Sequence, residues 1–590
     1  MSQLDADEIP ADLIDGRLLR RLLGYLRPYR RSVALAVALL SVHAGLAVIG
    51  PAMTQRALDH AVPARDLGLL GRYTAIYVLA LLGTLVVDYA QMILTTRIGQ
   101  RAMLDLRMAV FDHLGRLPIG YFDRNPVGRL MTRVTSDVET LNDLFSSGVV
   151  SAFGDLFTLV AIAAMMVATD WRLSLVAFLV MPVMGVVVSV FRRHIREAFR
   201  DIRTRVARLN SFLQEHLAGV QVVQLFSRGR QAAAGFDGVN RAHWAAHQRS
   251  ITIYAIFFPM FELVTAVALA LLLTNGGTRV AAGTATVGVL AAFIQLTRRF
   301  FQPLQDLSEK VNLLQNAMAS SERIFRLLDT PVSMPDPERP AALPEPVRGE
   351  IRFDHVWFRY DDPGPWVLED VSFTAPAGET TALVGHTGAG KTTIVSLLLR
   401  YYDVTRGRIT LDGVDVRDLD VASLRRQFGF VQQDLFLFTG DILRNLALDP
   451  GVGEAEVKAA AARVGVDSLI GRLPGGLGHV LAERGRNLSV GERQLLSFAR
   501  ALARDPRILL LDEATSSVDS ESEARIQRGI AALMKDRTAI VVAHRLSTIQ
   551  GAGQILVMHH GRVVERGGHE DLVKGDGIYQ RLYRLQVGGA

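Results

Sequence analysis

Six apolar stretches in the first ~300 residues constrain this chain more than any other feature. They fall at 32–53, 73–94, 148–169, 172–191, 253–274 and 281–303. A helix needs about 20 residues to cross a hydrocarbon core about 30 Å thick, and each stretch is about that long. One such stretch can be a buried helix of a soluble protein; six in succession cannot all be covered by one soluble core. The chain is 49% hydrophobic and 21% charged, and its apolar residues are concentrated in these stretches rather than spread evenly. The reading is an α-helical membrane domain of six transmembrane helices.

Arginine orients those helices. The connection between the second and third stretches carries Arg97, Arg101, Arg107, Arg116, Arg124, Arg129 and Arg133. The connection between the fourth and fifth carries eleven more, from Arg192 to Arg249, whereas the intervening short loops hold few basic residues. Positive charge stays on the cytosolic side, so the N-terminus and both long connections are cytosolic. That placement also accounts for the net charge of +6; no basic tract with interleaved aromatics points to nucleic acid. The chain has no cysteine, which excludes disulfides, thiolate metal sites and cysteine catalysis.

Residues 1–16 are acid-rich and read as a solvated tail without a cleaved leader. From Arg17 to Leu26, leucines recur at helical spacing with arginines opposite, the pattern of a helix lying on a membrane surface. Both long connections keep helical periodicity, and each is broken once, over Pro118–Gly128 and over Gly219–Phe226. Inside the expected spans sit His43, Asp88, Asp155 and Glu262. Ionisable groups are costly there; they either line a substrate path or bond one helix to another. The membrane domain is placed at 17–328. A linker with six prolines follows at 329–348, and a second domain occupies 349–590.

That second domain alternates short apolar strands with helices, an α/β pattern. Ala382-Leu383-Val384 reads as a buried strand, followed by Gly385-His386-Thr387-Gly388-Ala389-Gly390-Lys391-Thr392 and then a helical run from Thr393. This is a P-loop nucleotide-binding arrangement. Gly385, Gly388 and Gly390 let backbone N–H groups converge on phosphate oxygens, and the helix N-terminus adds its positive end. Lys391 reaches the outer phosphates of ATP, Thr392 offers its hydroxyl to Mg²⁺, and Thr393 follows at the same helix start. Further on, a buried strand ends in Asp512 and Glu513. Asp512 suits Mg²⁺ held through water, and Glu513 suits a general base that polarises the attacking water. His544 closes another apolar strand, where it is either structural or a partner of the outermost phosphate.

Leu488-Ser489-Val490-Gly491-Glu492-Arg493-Gln494 completes the set. It follows the phosphate loop by about a hundred residues and resembles the signature segment of ATP-binding cassette (ABC) transporters. The resemblance extends over nearly the whole chain, in the order of an exporter. It implies that Tyr360 stacks on adenine, that Gln433 touches Mg²⁺ and senses the membrane domain, and that Asp519 crosses a dimer interface. It also implies that the two helix breaks are coupling helices and that Glu483-Arg484-Gly485 is the short segment that marks exporters. Ser489 begins a helix whose N-terminus is a second anion site; in the family, that end, with Gly491, caps the ATP held by another subunit.

The signature departs from the family's Leu-Ser-Gly-Gly-Gln at Val490 and Glu492. A Cβ and a carboxylate near phosphate are expected to weaken that half-site, the pattern of one chain of a heterodimer rather than a homodimer. The expected protein is an integral membrane protein of a bacterial inner membrane that exports or flips amphipathic small molecules, lipids or peptides. The competing reading is an ATP-gated channel of the same architecture, which would need no hydrolytic Glu513 and His544.

Overall fold

The computed structural model describes residues 16–332, 337–449, 451–512, 520–543 and 549–587. The tail expected at 1–16 lies outside these apart from Gly16, and so do Glu513, Asp519 and His544. The chain forms two compact units: one runs to Gly115 and resumes over Val127–Thr330, and the other combines Arg116–Pro126 with everything from Pro331 onward.

In the first unit, α1 (Gly16–Gly24) is the expected amphipathic helix. Leu22 is fully buried, and the Arg21 guanidinium lies 4.3 Å over the Phe325 ring while forking onto Asp329 at 2.6 and 2.8 Å. The helices that follow are α2 (Arg30–Arg56), α3 (Leu67–Arg116), α4 (Ile119–Arg124), α5 (Val150–Thr169), α6 (Trp171–Phe178), α7 (Met181–Ala218), α8 (Val220–Leu225), α9 (Gly229–Ala281) and α10 (Val287–Leu328). Of these, α4 belongs to the second unit.

Among the described residues, five helical segments are long and apolar enough to cross a membrane: Arg27–Ala64, Leu67–Arg116, Ala152–Thr169, Trp171–Ala218 and Gly229–Ala281. The sixth expected stretch, 281–303, is not continuous helix. Residues 282–286 form the turn after α9, and α10 begins at Val287 and carries Arg298 and Arg299 within its apolar part. Only 6% of the apolar window of α3 is buried. Leu79, Leu82, Leu85 and Tyr89 stand open on it, a surface that lipid solvates and water does not.

Where helices meet, the contacts are specific. Phe191 of α7 stacks on Phe257 of α9 with ring centroids 3.9 Å apart. Asp170 caps α6, accepting from the Arg172 and Leu173 N–H groups, and binds Arg279 at 2.6 Å. The buried Asp137 accepts from the Ser320 hydroxyl at 3.0 Å and from Arg323 at 2.5 and 3.0 Å, fixing the segment before α5 to α10.

Among the described residues the second unit has twelve strands: β1 (Ile351–Phe358), β2 (Leu368–Ala375), β3 (Thr380–Gly385), β4 (Arg406–Leu411), β5 (Val414–Asp415), β6 (Phe428–Val431), β7 (Gly440–Asp441), β8 (Val480–Leu481), β9 (Ile508–Asp512), β10 (Thr538–Val542), β11 (Gln554–His559) and β12 (Arg562–Gly567). The main sheet has the order β12-β11-β3-β10-β9-β6, parallel except at β12. Side chains of β3 alternate between its faces. Ala382 and Val384 join a core with Leu496 and Phe498, and Leu383 joins one with Ile394 and Leu398. A second, antiparallel sheet, β2-β1-β4-β5, closes over the latter core, with Phe353 and Phe373 paired across strands and stacked at 4.5 Å.

Candidate functional site

Sheet register gathers the candidate residues. Val542 of β10 lies level with Leu383 of β3 on one side and with Asp512 of β9 on the other, and Val431 of β6 lies level with Leu511. Four neighbouring parallel strands therefore end together. The phosphate loop follows β3, Ala543 follows β10, Asp512 ends β9, and Gln432 and Gln433 follow β6. Ligands of open α/β sheets bind at such carboxyl ends.

The loop itself has the backbone its glycines allow. Gly388 and Gly390 have φ of +82° and +99°, a region that side chains disfavour. A Cβ on Gly390 would meet Leu368 at 2.6 Å, and one on Gly385 would collide with the Met558 carbonyl. The helix α11 (Lys391–Leu398) starts at once, so its free N–H groups face the loop. Lys391 is buried, and its ammonium donates to the carbonyls of Gly385 and His386 at 2.6 and 2.9 Å. Burial holds its pKa below the ordinary lysine value, with Asp512 acting in the opposite direction. These residues fit a nucleoside triphosphate: a left-handed glycine cradle, a helix N-terminus and a desolvated cation share one turn.

Tyr360, 41% exposed, bonds the Thr393 hydroxyl at 3.0 Å and faces the edge of Tyr402 at 5.0 Å. Gln433 and Asp512 line one recess floored by Val431 and Leu511. Gln494 lines it too; its amide is buried, and its oxygen has no hydrogen-bond partner among the described residues.

The signature segment begins α12 (Val490–Leu502). Ser489 and Glu492 form a reciprocal cap: the Ser489 hydroxyl accepts from the Glu492 N–H at 3.2 Å, and the Glu492 carboxylate accepts from the Ser489 N–H at 2.8 Å. Val490 turns outward, 48% exposed, and Gly491 is buried beneath it. Arg493 donates to the Leu488 carbonyl at 2.8 Å, bracing the turn.

Of the four ionisable residues of the expected spans, two meet each other, one pairs with a lysine and one stands exposed. His43 of α2 lies 2.6 Å from Asp88 of α3, an ion-pair distance at an angle that does not make a directed hydrogen bond. Asp155 of α5 pairs with Lys310 of α10, and Glu262 is exposed on α9. Arg299 of α10 donates to the Ala47 carbonyl of α2, which gives that guanidinium a partner inside the helix bundle.

Two side chains that sequence reasoning passed over meet at α4. The Tyr402 hydroxyl donates to Asp123, and the Tyr402 ring lies where a Cβ on the buried Gly120 would be, 2.7 Å from Cε1. Burial first, and then the Asp123 carboxylate, push the Tyr402 pKa up. The second helix break, α8, leaves Val222, Leu225 and Phe226 exposed.

A bundle of lipid-facing helices fused to a phosphate-loop domain defines a membrane transporter driven by ATP. Residues 33–304 match the ABC transporter transmembrane region family, and residues 368–516 match the ABC transporter family. An uncharacterised ABC transporter ATP-binding protein of Bacillus subtilis is 38% identical over 99% of this chain and 97% of its own. An ATP-dependent lipid A-core flippase of Syntrophus aciditrophicus is 34% identical over 96% and 94%. A fatty acid ABC transporter ATP-binding/permease protein of Mycobacterium bovis is 38% identical over 88% and 82%. Among solved structures, a bacterial Atm1-family ABC exporter with ATP bound is 28% identical, with a TM-score of 0.78, over 94% of this chain and 98% of that one. The chain belongs to the ABC transporters of exporter type. It binds and hydrolyses ATP and couples that reaction to export as an integral membrane protein.

Proposed function

We propose that the chain is one half of a dimeric exporter that moves amphipathic, lipid-like molecules out of a bacterial cytoplasm, with residues 349–590 as its cytoplasmic ATPase. The alignment of four strand ends around the Lys391 turn carries this reading. Tyr360 stacks on the adenine. Gly385, Gly388, Gly390, Lys391 and Thr393 hold the phosphates, while Thr392, Gln433 and Asp512 would hold Mg²⁺. Bound ATP supplies the free energy of phosphate cleavage, and Mg²⁺ held there would neutralise phosphate charge. Glu513, next to the strand-end Asp512, takes the proton of the attacking water, and His544 keeps that water in line. Ser489 and Gly491 cap the nucleotide of the other subunit, and Asp519 crosses between the two.

The names of the flippase and fatty-acid relatives favour lipid-like substrates over peptides. Asp155 and Lys310, His43 and Asp88 hold helices to one another, and exposed Glu262 on α9 is the acid we assign to the substrate path. The exposed apolar side chains of α8 suit docking onto the second subunit. Val490 and the Glu492 carboxylate at the capping end favour a partner of different sequence. Co-purification with a second, similar chain supports this, and full transport activity from this chain alone refutes it.

Glu513→Gln tests the reaction. ATP binding is expected to stay intact while turnover falls by about 10²–10⁴-fold, the usual worth of a positioned base. An unchanged turnover removes Glu513 from that role.

A further inference from the structure

Tyr402 touches two parts of the second unit that are far apart in sequence. Its ring packs against Phe358 at 5.6 Å with the planes 62° apart, and against Tyr360 at 5.0 Å with the planes 84° apart, close to perpendicular. Its hydroxyl donates to Asp123 of α4, 279 positions away in the chain. Gly120 is the residue of α4 that permits this, because any side chain there would occupy the space of the Tyr402 ring. A second tie lies beside the first: Arg124 of α4 is 3.9 Å from Asp361, the neighbour of Tyr360. The short helix is thus held at two points, and both adjoin the residue read above as the adenine platform.

We propose that Tyr402 is a positioning residue that transmits occupancy of the adenine platform at Tyr360 to the short helix α4. The relay rests on the reading of Tyr360 given under the proposed function. A base stacking on Tyr360 competes with its bond to the Thr393 hydroxyl and reorients its ring. Edge-to-face packing at 5.0 Å leaves no slack, so the Tyr402 ring follows. The Tyr402 hydroxyl then carries Asp123 with it, or releases it, and the end of α4 shifts in stability. The triphosphate tail alone, gripped by the Lys391 turn, does not engage this route.

Hydrogen exchange on the full-length protein in lipid nanodiscs tests the relay, reading peptides over 116–126 and 385–393 with ATP and with inorganic triphosphate. Both ligands are expected to slow exchange over 385–393. Only ATP is expected to change exchange over 116–126, by about tenfold, the scale of gaining or losing one hydrogen bond to a charged group. Tyr402→Phe keeps the ring and removes the bond; it retains protection over 385–393 and loses the change over 116–126. Asp123→Ala reproduces that result, and combining the two adds nothing. Asp123→Asn, which keeps an acceptor, preserves most of the response. The relay is overturned if triphosphate acts on 116–126 as strongly as ATP, or if Tyr402→Phe leaves the ATP effect intact. If neither ligand protects 385–393 in the unaltered protein, the nucleotide-site reading fails and the relay falls with it.

Discussion

In the two-subunit arrangement proposed above Glu492 has two effects, and replacing it by glutamine separates them. Locally, the carboxylate caps α12 through the Ser489 N–H at 2.8 Å. Glutamine keeps an acceptor at that position and forfeits only the attraction of a negative charge for the helix N-terminus, about 0.3–1 kcal/mol. Glu492→Ala forfeits the bond as well, about 1 kcal/mol in all, and serves as the structural control. Across the proposed dimer interface the sign reverses. If that interface sets the carboxylate about 6 Å from a phosphate charge, the two repel by about 0.7–3 kcal/mol at effective dielectric constants of roughly 80 to 20. Every 1.4 kcal/mol is tenfold in an equilibrium constant. Glu492→Gln should therefore lower thermal stability slightly while raising apparent ATP affinity and ATPase rate by about 3- to 100-fold. The assay is ATP-concentration-dependent phosphate release, with a melting curve on the same preparation. An ATPase curve superimposable on that of the unaltered protein, together with a small loss of stability, would show that the carboxylate faces no phosphate, and the argument for an asymmetric pair would lose its support.

Lys391→Ala should weaken nucleotide binding itself, by about tenfold or more, since a charge-assisted contact to phosphate is lost; equilibrium binding of a fluorescent ATP analogue checks it. Asp137→Ala leaves Arg323 without the carboxylate that takes two of its N–H groups, and should cost about 2–4 kcal/mol, seen as a lowered melting temperature; an unchanged melt would mean that the pair adds nothing. Arg21 holds the Asp329 carboxyl below the ordinary carboxylate pKa. A lowered folded-state value stabilises above the unfolded pKa and is lost as pH falls through the folded one. Release of α1, followed by limited proteolysis near residues 24–26, should therefore appear only below about pH 4 and be mild, because both side chains are about half exposed.

The elements that the sequence announces are those whose side chains repeat or whose backbone needs glycine. The phosphate loop is one, with Gly388 and Gly390 at positive φ where their spacing put them. The short helices α4 and α8 are others, because proline and glycine interrupt long helical runs at 118–128 and 219. The sequence predicts an apolar stretch from 281, whereas α10 begins at Val287: Ala281 to Thr286 are small and apolar enough to pass for helix, and only the chain reversal shows otherwise. Widened helical turns at Ala57–Ala61, Arg133–Asp137 and Leu144–Val149 leave no mark on side-chain periodicity, since they change backbone hydrogen-bond register and not residue type. Pairings between distant residues were not legible either. His43 with Asp88 and Asp155 with Lys310 required the bundle to be assembled, and Tyr402 with Asp123 required a fold that brings residues 279 positions apart together. Glu492 carried a visible signal that pointed one way: it looked like a defect in the signature and also completes a capping box, which the spacing Ser-x-x-Glu already spells out.

The membership of α4 in the ATPase body bears on how this polypeptide can be dissected. A fragment cut at the proline-rich linker would begin after Thr330 and so lack Gly120, Asp123 and Arg124. Such a fragment bares the Tyr402 ring, and its hydroxyl must find water instead of a carboxylate. Autonomy thus stops short of the gene's apparent seam: the catalytic half carries a socket that a short helix of the N-terminal half fills, and a truncation meant to isolate it also removes its plug.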